Sequence, residues 1–205
     1  GCSDAGPPRP GRGGAVTAHE YEADTPYAWR RLVALVLLGT LGGVGMWSVV
    51  VALPAVQAEF GVARGAASLP YTLTMLGFGA GGVLMGRAAD RFGVVYPVVG
   101  GTVALGLGYV LAGLSGGLWG FALAQGVFIG LLGSSATFGP LVADAALWFD
   151  RRRGLAVALC ACGNYLAGAI WPPVLQRLID AYGWRPAYIG VGLFCAVAML
   201  PLSVA

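Results

Sequence analysis

Long stretches without any charged residue constrain the fold of this chain more than any other feature. The longest covers residues 92–143, and a second covers residues 32–58. A helix crosses the hydrocarbon core of a bilayer with about 20 apolar residues, so residues 92–143 suffice for two crossings around the turn signal Ser115-Gly116-Gly117. The sequence therefore predicts an all-α, polytopic membrane protein with six transmembrane helices. The predicted spans are about 32–54, 69–87, 95–114, 118–142, 154–174 and 186–205.

The amino-acid composition agrees with a membrane environment. Charged residues make up 10% of the 205 residues and apolar residues 58%, whereas soluble globular chains are about 25% charged. Glycine is abundant, with 35 residues, and small residues allow helices to approach each other closely in lipid. The spacings Gly82-xxx-Gly86 and Gly126-xxx-Gly130 predict two such close contacts between helices.

Few residues are suited to catalysis, metal binding or nucleic-acid binding. The only histidine, His19, lies in the polar N-terminal segment, so no predicted span carries a histidine ligand or base. The cysteines, Cys2, Cys160, Cys162 and Cys195, are unevenly spaced, and we interpret them as small core residues with free thiols. All twelve basic residues are arginines spread along a chain of net charge +3, which argues against nucleic-acid binding. We therefore predict a chain that is not an enzyme and holds no cofactor and no metal.

The N-terminal segment, residues 1–28, differs in composition from the rest of the chain. It contains prolines, glycines and acidic residues, and too few apolar residues to form a core. We interpret it as a flexible cytoplasmic tail, and residues 29–205 as one six-helix transmembrane bundle. The chain starts at Gly1 rather than at methionine and ends at Ala205 within an apolar run. We therefore expect it to be a fragment of a longer protein.

The arginines predict the orientation of the spans, because short cytoplasmic loops of membrane proteins are enriched in basic residues. With the N-terminus in the cytoplasm, nine arginines lie on the cytoplasmic side and three lie outside: Arg64, Arg177 and Arg185. The sequence therefore predicts a multi-pass protein of the cell membrane with a cytoplasmic N-terminus. Four tryptophans lie near predicted span ends and are interpreted as anchors at the lipid–water interface: Trp29, Trp119, Trp148 and Trp184.

Two loops carry motifs of a known family. The loop after the second span reads Gly86-Arg87-Ala88-Ala89-Asp90-Arg91-Phe92-Gly93, which resembles the G-x-x-x-D-R-x-G signature of the major facilitator superfamily. The loop before the fifth span reads Trp148-Phe149-Asp150-Arg151-Arg152-Arg153-Gly154-Leu155-Ala156. It is similar to a segment of the monocarboxylate transporter-like and oxalate/formate exchanger-like branches. The resemblance covers residues 30–205.

The resemblance implies the N-terminal six-helix bundle of a twelve-helix major facilitator fold, whose C-terminal bundle this chain lacks. It implies a secondary active transporter that moves a small organic anion, monocarboxylate-like, by alternating access. The implied partners are a small-molecule substrate, the lipid bilayer and the C-terminal bundle of the same transporter. Motif residues with an implied role in gating are Gly86, Asp90, Arg91, Gly93, Arg151, Arg152 and Arg153. The chain departs from the family where Val94 and Val95 replace a usual basic pair.

In the family fold, helices 1, 2, 4 and 5 surround the central cavity, so uncharged side chains on those helices are candidates for a substrate wall. The candidates are Thr40, Trp47, Tyr71, Thr74, Gln125, Asn164 and Trp171. Gln125 and Asn164 are equally consistent with hydrogen bonds between helices, whereas for Tyr71 and Trp171 we favour a place in the aromatic belt at the membrane surface. No ionisable side chain lies well inside a predicted span, so the charge that binds an anion is expected in the C-terminal bundle.

Two alternatives stay open on the sequence alone. The chain is also consistent with a self-contained six-span membrane protein with a structural or interaction role. A transporter of another small solute fits the same motifs, because fold and family motifs do not identify a substrate.

The predicted orientation can be tested by labelling. We expect a cysteine placed at Gly116 to react with a membrane-impermeant maleimide added to intact cells, because this turn should face outwards. A cysteine placed at Arg152 should react only after the membrane is opened. The measurement uses the full-length protein with its native cysteines replaced, and equal labelling of both sites in detergent is the control. The reverse pattern would invert the topology.

Overall fold

The computed structural model describes residues 26–149 and 152–204, and the regular elements in that part of the chain are all helical. The elements are α1 (Pro26–Gly42), α2 (Val44–Phe60), α3 (Arg64–Ala67), α4 (Leu69–Phe92), α5 (Val95–Gly113), α6 (Leu118–Leu123), a π-helical segment (Ala124–Ser134), α7 (Gly139–Trp148), α8 (Arg153–Tyr182) and α9 (Trp184–Val204). Helices α1 and α2 follow each other directly and form the first transmembrane helix. The fourth is composed of α6, the π-helical segment and α7.

Among the described residues, five helical segments are long and apolar enough to cross a membrane. They are Pro26–Phe60, Val95–Gly113, Leu118–Leu147, Arg153–Tyr182 and Trp184–Ser203. Helix α4, with 24 residues, is also long enough to cross a membrane. Its glycines, proline and charged residues lower its mean hydropathy, so it is not one of these five. The structure therefore confirms the all-α, polytopic membrane fold that the sequence predicts.

The helices extend beyond the predicted spans, because proline does not end them. Pro54 lies inside α2, and Pro172 and Pro173 lie inside α8, close to where the sequence predicts span ends. A proline removes one backbone donor, and a packed membrane helix tolerates that loss. Helix α2 instead ends at Gly61, whose φ of 59° is left-handed. Residues 26–28, assigned to the tail, already belong to α1, and residues 1–25 lie outside the described part.

The helices pack as one bundle around the fourth and first transmembrane helices. Helices α1 and α2 both pack against α8, while α4 packs against the π-helical segment. Helix α5 lies between the π-helical segment and α9 and contacts both. The buried apolar cluster runs from Ala28 near one end of the first transmembrane helix to Val56 near the other. The core therefore extends along most of the bundle's length.

Glycines hold the π-helical segment close to α4. A side chain added at Gly77 would overlap the carbonyl of Gly126, and one added at Gly81 would overlap a carbonyl of the π-helical segment. In return, Gly126 and Gly130 lie against the backbone of residues 73–74 in α4. The predicted close contact at Gly126-xxx-Gly130 is therefore confirmed, and its partner on α4 is the pair of Gly77 and Gly81.

The other predicted glycine contact is wrong within the described residues. A side chain added at Gly82 or Gly86 would meet no atom within 4 Å. Gly82 is turned by about 100° around the helix axis relative to Gly81. Helix α4 therefore does pack through small residues, but the face that packs carries Gly77 and Gly81 and not Gly82 and Gly86.

One predicted tryptophan anchor is also wrong. Trp184 is only 5% exposed and packs edge-to-face on Phe121, with 5.4 Å between ring centroids, and on Tyr188 at 5.9 Å. It is a core residue at the end of the bundle, because the turn before α9 directs its side chain inwards. Trp119 is exposed, as the prediction requires, and the side chain of Trp148 lies outside the described part.

The cysteines follow the prediction with one exception. Cys160 and Cys195 are buried and free, whereas Cys162 is free but exposed on α8. Two positions along a helix differ by about 200° in direction, so Cys160 and Cys162 cannot both face the core. Cys2 lies outside the described residues.

Replacing Gly81 with leucine should destabilise the bundle by more than about 2 kcal/mol, because the side chain would push α4 away from a backbone carbonyl. The measurement is the Tm of the purified protein in detergent. The matched control is Gly82→Leu, which meets open space and should change stability by less than about 0.5 kcal/mol. Equal losses for both variants would contradict the packing described here.

Candidate functional site

The first transmembrane helix is irregular at its centre. Helices α1 and α2 have 17 residues each and meet at Gly43, where the chain makes one tighter turn: the Gly43 N–H keeps its helical bond to the Gly39 carbonyl at 2.9 Å, but the Gly43 carbonyl accepts from the Met46 N–H only three residues on, at 3.2 Å. A side chain added at Gly42 would overlap Thr137, and one added at Gly43 would overlap Ala167 and Asn164. The glycine pair therefore allows the fourth transmembrane helix and α8 to approach this irregular turn from two sides.

The irregular turn is contacted by side chains from neighbouring helices. Three backbone carbonyls around Gly43 accept hydrogen bonds from side chains. The Trp171 indole donates to the Thr40 carbonyl at 2.8 Å, and the Ser134 hydroxyl donates to the Gly42 carbonyl at 3.2 Å. The Gln125 amide donates to the Gly45 carbonyl at 3.0 Å. In hydrocarbon, a backbone carbonyl without a donor costs several kcal/mol. The donors lie on α8 and on the π-helical segment, so these elements are tied to the irregular turn through its carbonyls.

Four of the predicted cavity residues come together along the contact between the first transmembrane helix and α8. The Thr40 hydroxyl lies between the Val36 carbonyl at 2.8 Å and the Gly163 carbonyl at 3.1 Å, and the Trp47 indole donates to the Asn164 carbonyl at 3.3 Å. Trp171, the fourth member, is buried and bonded to Thr40, so it does not occupy the aromatic belt at the membrane surface. We call this contact the α1–α8 seam.

Beside the α1–α8 seam lies a shallow pocket of about 50 Å³ between α2 and α4. It is lined by Met46, Trp47, Val50, Tyr71 and Met75. Tyr71 is exposed there and adjoins Trp47 in the lining. The pocket combines aromatic rings, thioethers and one hydroxyl, and no charged side chain lines it.

The remaining two cavity candidates lie inside helix contacts. Thr74 is fully buried and donates to the Pro70 carbonyl one turn earlier at 2.7 Å. Gln125 is fully buried as well, and its amide bond to Gly45 favours the interhelical role that the sequence left open. Its Oε1 atom has no hydrogen-bond partner among the described residues.

The loop between α4 and α5 shows why its motif needs glycine. Gly93 ends α4 with a φ of 86°, a conformation that residues with a side chain rarely adopt, and its N–H donates to the Ala89 carbonyl at 2.9 Å. Asp90 is exposed and forms no hydrogen bond to another described residue, while Arg91 lies 5.4 Å from the centre of the Phe92 ring. In the second motif Arg152 and Arg153 are exposed, and Arg151 lies outside the described part.

A partly buried ion pair at one end of the bundle was not predicted from the sequence. The Nε of Arg31 donates to Asp144 at 2.9 Å and its Nη2 at 3.3 Å, and the two side chains are 27% and 7% exposed. Asp144 lies two positions beyond the predicted fourth span and Arg31 one before the first, so neither counted as intramembrane. The sequence did contain a signal for this pair, since a carboxylate and an arginine flank two of its apolar runs. Nearby, Trp29 packs edge-to-face on Phe149 at 5.3 Å.

A second polar cluster closes the opposite end of the bundle. Arg185 pairs with Glu59 at 2.7 Å and donates to the carbonyls of Gly113 at 2.9 Å and Ser115 at 2.6 Å. The Trp184 indole also donates to Glu59, and its ring lies 4.7 Å from the Arg185 guanidinium. This cluster joins the ends of α2, α5 and α9. Among the described residues, no group of histidine, cysteine or acidic side chains could hold a metal ion.

Other proteins share much of this sequence. A family model described as Major Facilitator Superfamily matches residues 35–205. MFS-type transporter 1 of Ophiocordyceps sp. is 36% identical over 124 residues, which cover 60% of this chain and 27% of that protein. Monocarboxylate transporter 6 of Mus musculus is 34% identical over 120 residues, 57% of this chain and 25% of the relative. Riboflavin transporter RibJ of Trypanosoma brucei brucei is 28% identical over 124 residues, 60% of this chain and 22% of the relative. The chain thus spans about a quarter of the length of these relatives.

Replacing Asp144 with asparagine should destabilise the bundle, because the charge of Arg31 then loses this carboxylate in a partly buried position. We expect a loss on the order of 2 kcal/mol in the free energy of unfolding, measured as a lower Tm in detergent. The matched control is Asp180→Asn, an exposed carboxylate on α8, which should lose less than about 0.5 kcal/mol. In the R31Q/D144N double variant the losses should be less than additive. Strict additivity would contradict the pairing.

Proposed function

The chain belongs to the major facilitator superfamily, and on that premise we propose that it is the N-terminal six-helix half of a secondary active transporter for a small organic anion. In this proposal residues 29–205 form one bundle, which rocks against a C-terminal bundle and exposes a shared site alternately to the two sides of the membrane. The C-terminal bundle, the substrate and the lipid bilayer are the proposed partners.

The observation that carries the proposal is the irregular turn in the first transmembrane helix beside an uncharged pocket. Transporters of several folds place their substrate sites near the middle of the bilayer, where helices are interrupted. Gly43 has 17 helical residues on either side, so the irregular turn lies at the centre of its span. Trp47 is four residues from Gly43 and lines both the α1–α8 seam and the shallow pocket. A half-site at that depth fits one wall of a substrate cavity.

The composition of the shallow pocket supports the proposal that the two halves bind different parts of the substrate. Rings and thioethers suit the carbon skeleton of a small organic solute, but the pocket has no cation for a carboxylate. The described charges that pair with each other lie at the two ends of the bundle. We therefore assign the cation that binds the anion to the C-terminal bundle. The name of the mouse relative, monocarboxylate transporter 6, supports a monocarboxylate-like substrate.

The motif loops are proposed as gating elements. Gly93 ends α4 with its positive φ, Gly86 lies about two turns earlier in the same helix, and Asp90 is exposed between them, where a partner on the other bundle could reach it. Arg91 and the arginines Arg151, Arg152 and Arg153 supply positive charge at the same predicted cytoplasmic side. The arginine distribution supports a cell-membrane protein with a cytoplasmic N-terminus.

Two other functions compete with this proposal. A transporter of a different solute is favoured by the riboflavin transporter among the relatives. A self-contained six-span interaction protein would need no second bundle. Uptake by liposomes that contain either the full-length protein or residues 1–205 separates these cases.

We expect full-length protein in liposomes to take up radiolabelled L-lactate in a saturable way, with inhibition by unlabelled monocarboxylates. Tyr71→Ala should lower the uptake rate about tenfold, as expected when a substrate contact of about 1.4 kcal/mol is lost in the rate-limiting state. Trp119→Ala, which removes an exposed aromatic ring elsewhere, is the matched control and should leave uptake unchanged. Inhibition by riboflavin but not by monocarboxylates would reassign the substrate, and saturable uptake by residues 1–205 alone would refute the two-bundle proposal.

Asp90→Asn tests the gating proposal in the same liposomes. A carboxylate contact made in only one access state shifts the conformational equilibrium when it is lost, so uptake should slow while the amount of protein in the membrane stays normal. The control is Asp180→Asn, an exposed carboxylate near the other end of a span. Normal uptake kinetics for Asp90→Asn would show that Asp90 serves only the turn.

A further inference from the structure

A groove of about 420 Å³ opens on the outside of the bundle between α8 and α9. We call it the α8–α9 groove. Its lining includes Trp171, Val174, Leu178, Tyr182, Gly190 and Phe194. The substrate proposal does not use it.

The groove exists because α8 and α9 diverge from a tight turn. Gly183, with a φ of 85°, is the single residue between the two helices, so they begin side by side. Helix α9 then packs along α5, whereas α8 packs along α1 and α2. Only 28% of the apolar stretch of α8 and 33% of that of α9 are buried, against 56% in Val95–Gly113. The two helices therefore leave an open furrow on their outer side.

The surface of the groove is almost entirely hydrocarbon. The Trp171 indole N–H points away from it and donates to the Thr40 carbonyl at 2.8 Å. The Trp171 ring meets the Phe194 ring edge-to-face at 6.5 Å and forms the deep end. Tyr182 is the lining residue with a hydroxyl group, and it lies at the opposite end, 71% exposed beside the turn. The groove therefore has an apolar floor and one polar end.

The length of the groove corresponds to half of a bilayer. Tyr182 and Trp171 are 11 positions apart on α8, which is about 16 Å along the helix axis at ~1.5 Å per residue. One leaflet contributes about 15 Å of the roughly 30 Å hydrocarbon core. A docked transmembrane helix would need a furrow through both leaflets, whereas one lipid chain needs only this depth.

We propose that the α8–α9 groove binds one acyl chain of a phospholipid from the leaflet that contains the turn at Gly183. The mouth of the groove is continuous with the outer surface of α9, where Leu193 and Val197 are exposed to the bilayer. An unfilled furrow would lose the van der Waals contacts of its lining, and lipid chains are the apolar groups available there. Tyr182 then lies at the headgroup level, where aromatic residues with a polar tip are favoured.

Gly190→Leu provides a test that keeps the fold. A side chain at Gly190 points into open space and meets no atom within 4 Å, so leucine fills the groove without disturbing the packing. The full-length protein is placed in liposomes with a trace of phosphatidylcholine that carries a diazirine at the end of one acyl chain. After photolysis we expect labelled peptides around Trp171 and Phe194. A diazirine near the ester carbonyl should instead label peptides around Tyr182 and Pro186.

In the Gly190→Leu variant most of the deep labelling should be lost, while the Tm stays unchanged. The matched control is Gly100→Leu on α5, where an added side chain also meets no atom within 4 Å and labelling of the groove should persist. Equal labelling of both variants would mean ordinary contact with bulk lipid and would overturn the proposal. A photoreactive benzoylphenylalanine at position 190 that cross-links to another protein segment would overturn it as well, because polypeptide would then fill the groove.

Discussion

The irregular turn of the first transmembrane helix at Gly43 is the constraint on which the rest of the structure depends. A helix in hydrocarbon must pair its backbone groups internally, so an irregular turn is stabilised where other helices supply donors. Trp171, Gln125 and Ser134 supply them, at 2.8, 3.0 and 3.2 Å. These bonds hold α8 and the fourth transmembrane helix in position against the turn.

The π-helical segment is part of the same arrangement. A π-helix closes its hydrogen bonds over five residues instead of four, which widens the helix and redirects its side chains. Gln125 and Ser134 are its second and last residues, and both reach the first transmembrane helix. The glycines of the segment then allow α4 to pack from the other side. One irregular element thus serves two helix contacts, and π-helical geometry is frequent at functional sites.

The two ion pairs among the described residues lie at opposite ends of the bundle, and the middle of the bundle is uncharged. Arg31 and Asp144 connect the ends of α1 and α7, while Arg185 and Glu59 connect the ends of α9 and α2. Placing ion pairs near the membrane surface avoids the high cost of charges in the hydrocarbon centre. The two ion pairs therefore tie helix ends together at both ends of the bundle without placing a charge in its middle.

The sequence alone determined the turn at Ser115-Gly116-Gly117, the all-α membrane fold and the family, because these depend on local composition and on short motifs. The family resemblance, rather than spacing alone, predicted that Thr40, Trp47, Asn164 and Trp171 lie on helices around one cavity, and the structure brings them together at the α1–α8 seam. Only the tertiary structure decided which donors bind the carbonyls around Gly43, which glycine face of α4 packs and that Asp144 meets Arg31, 113 positions away. These features arise from contacts between distant segments, and a pattern along one helix does not specify which neighbour its face will meet.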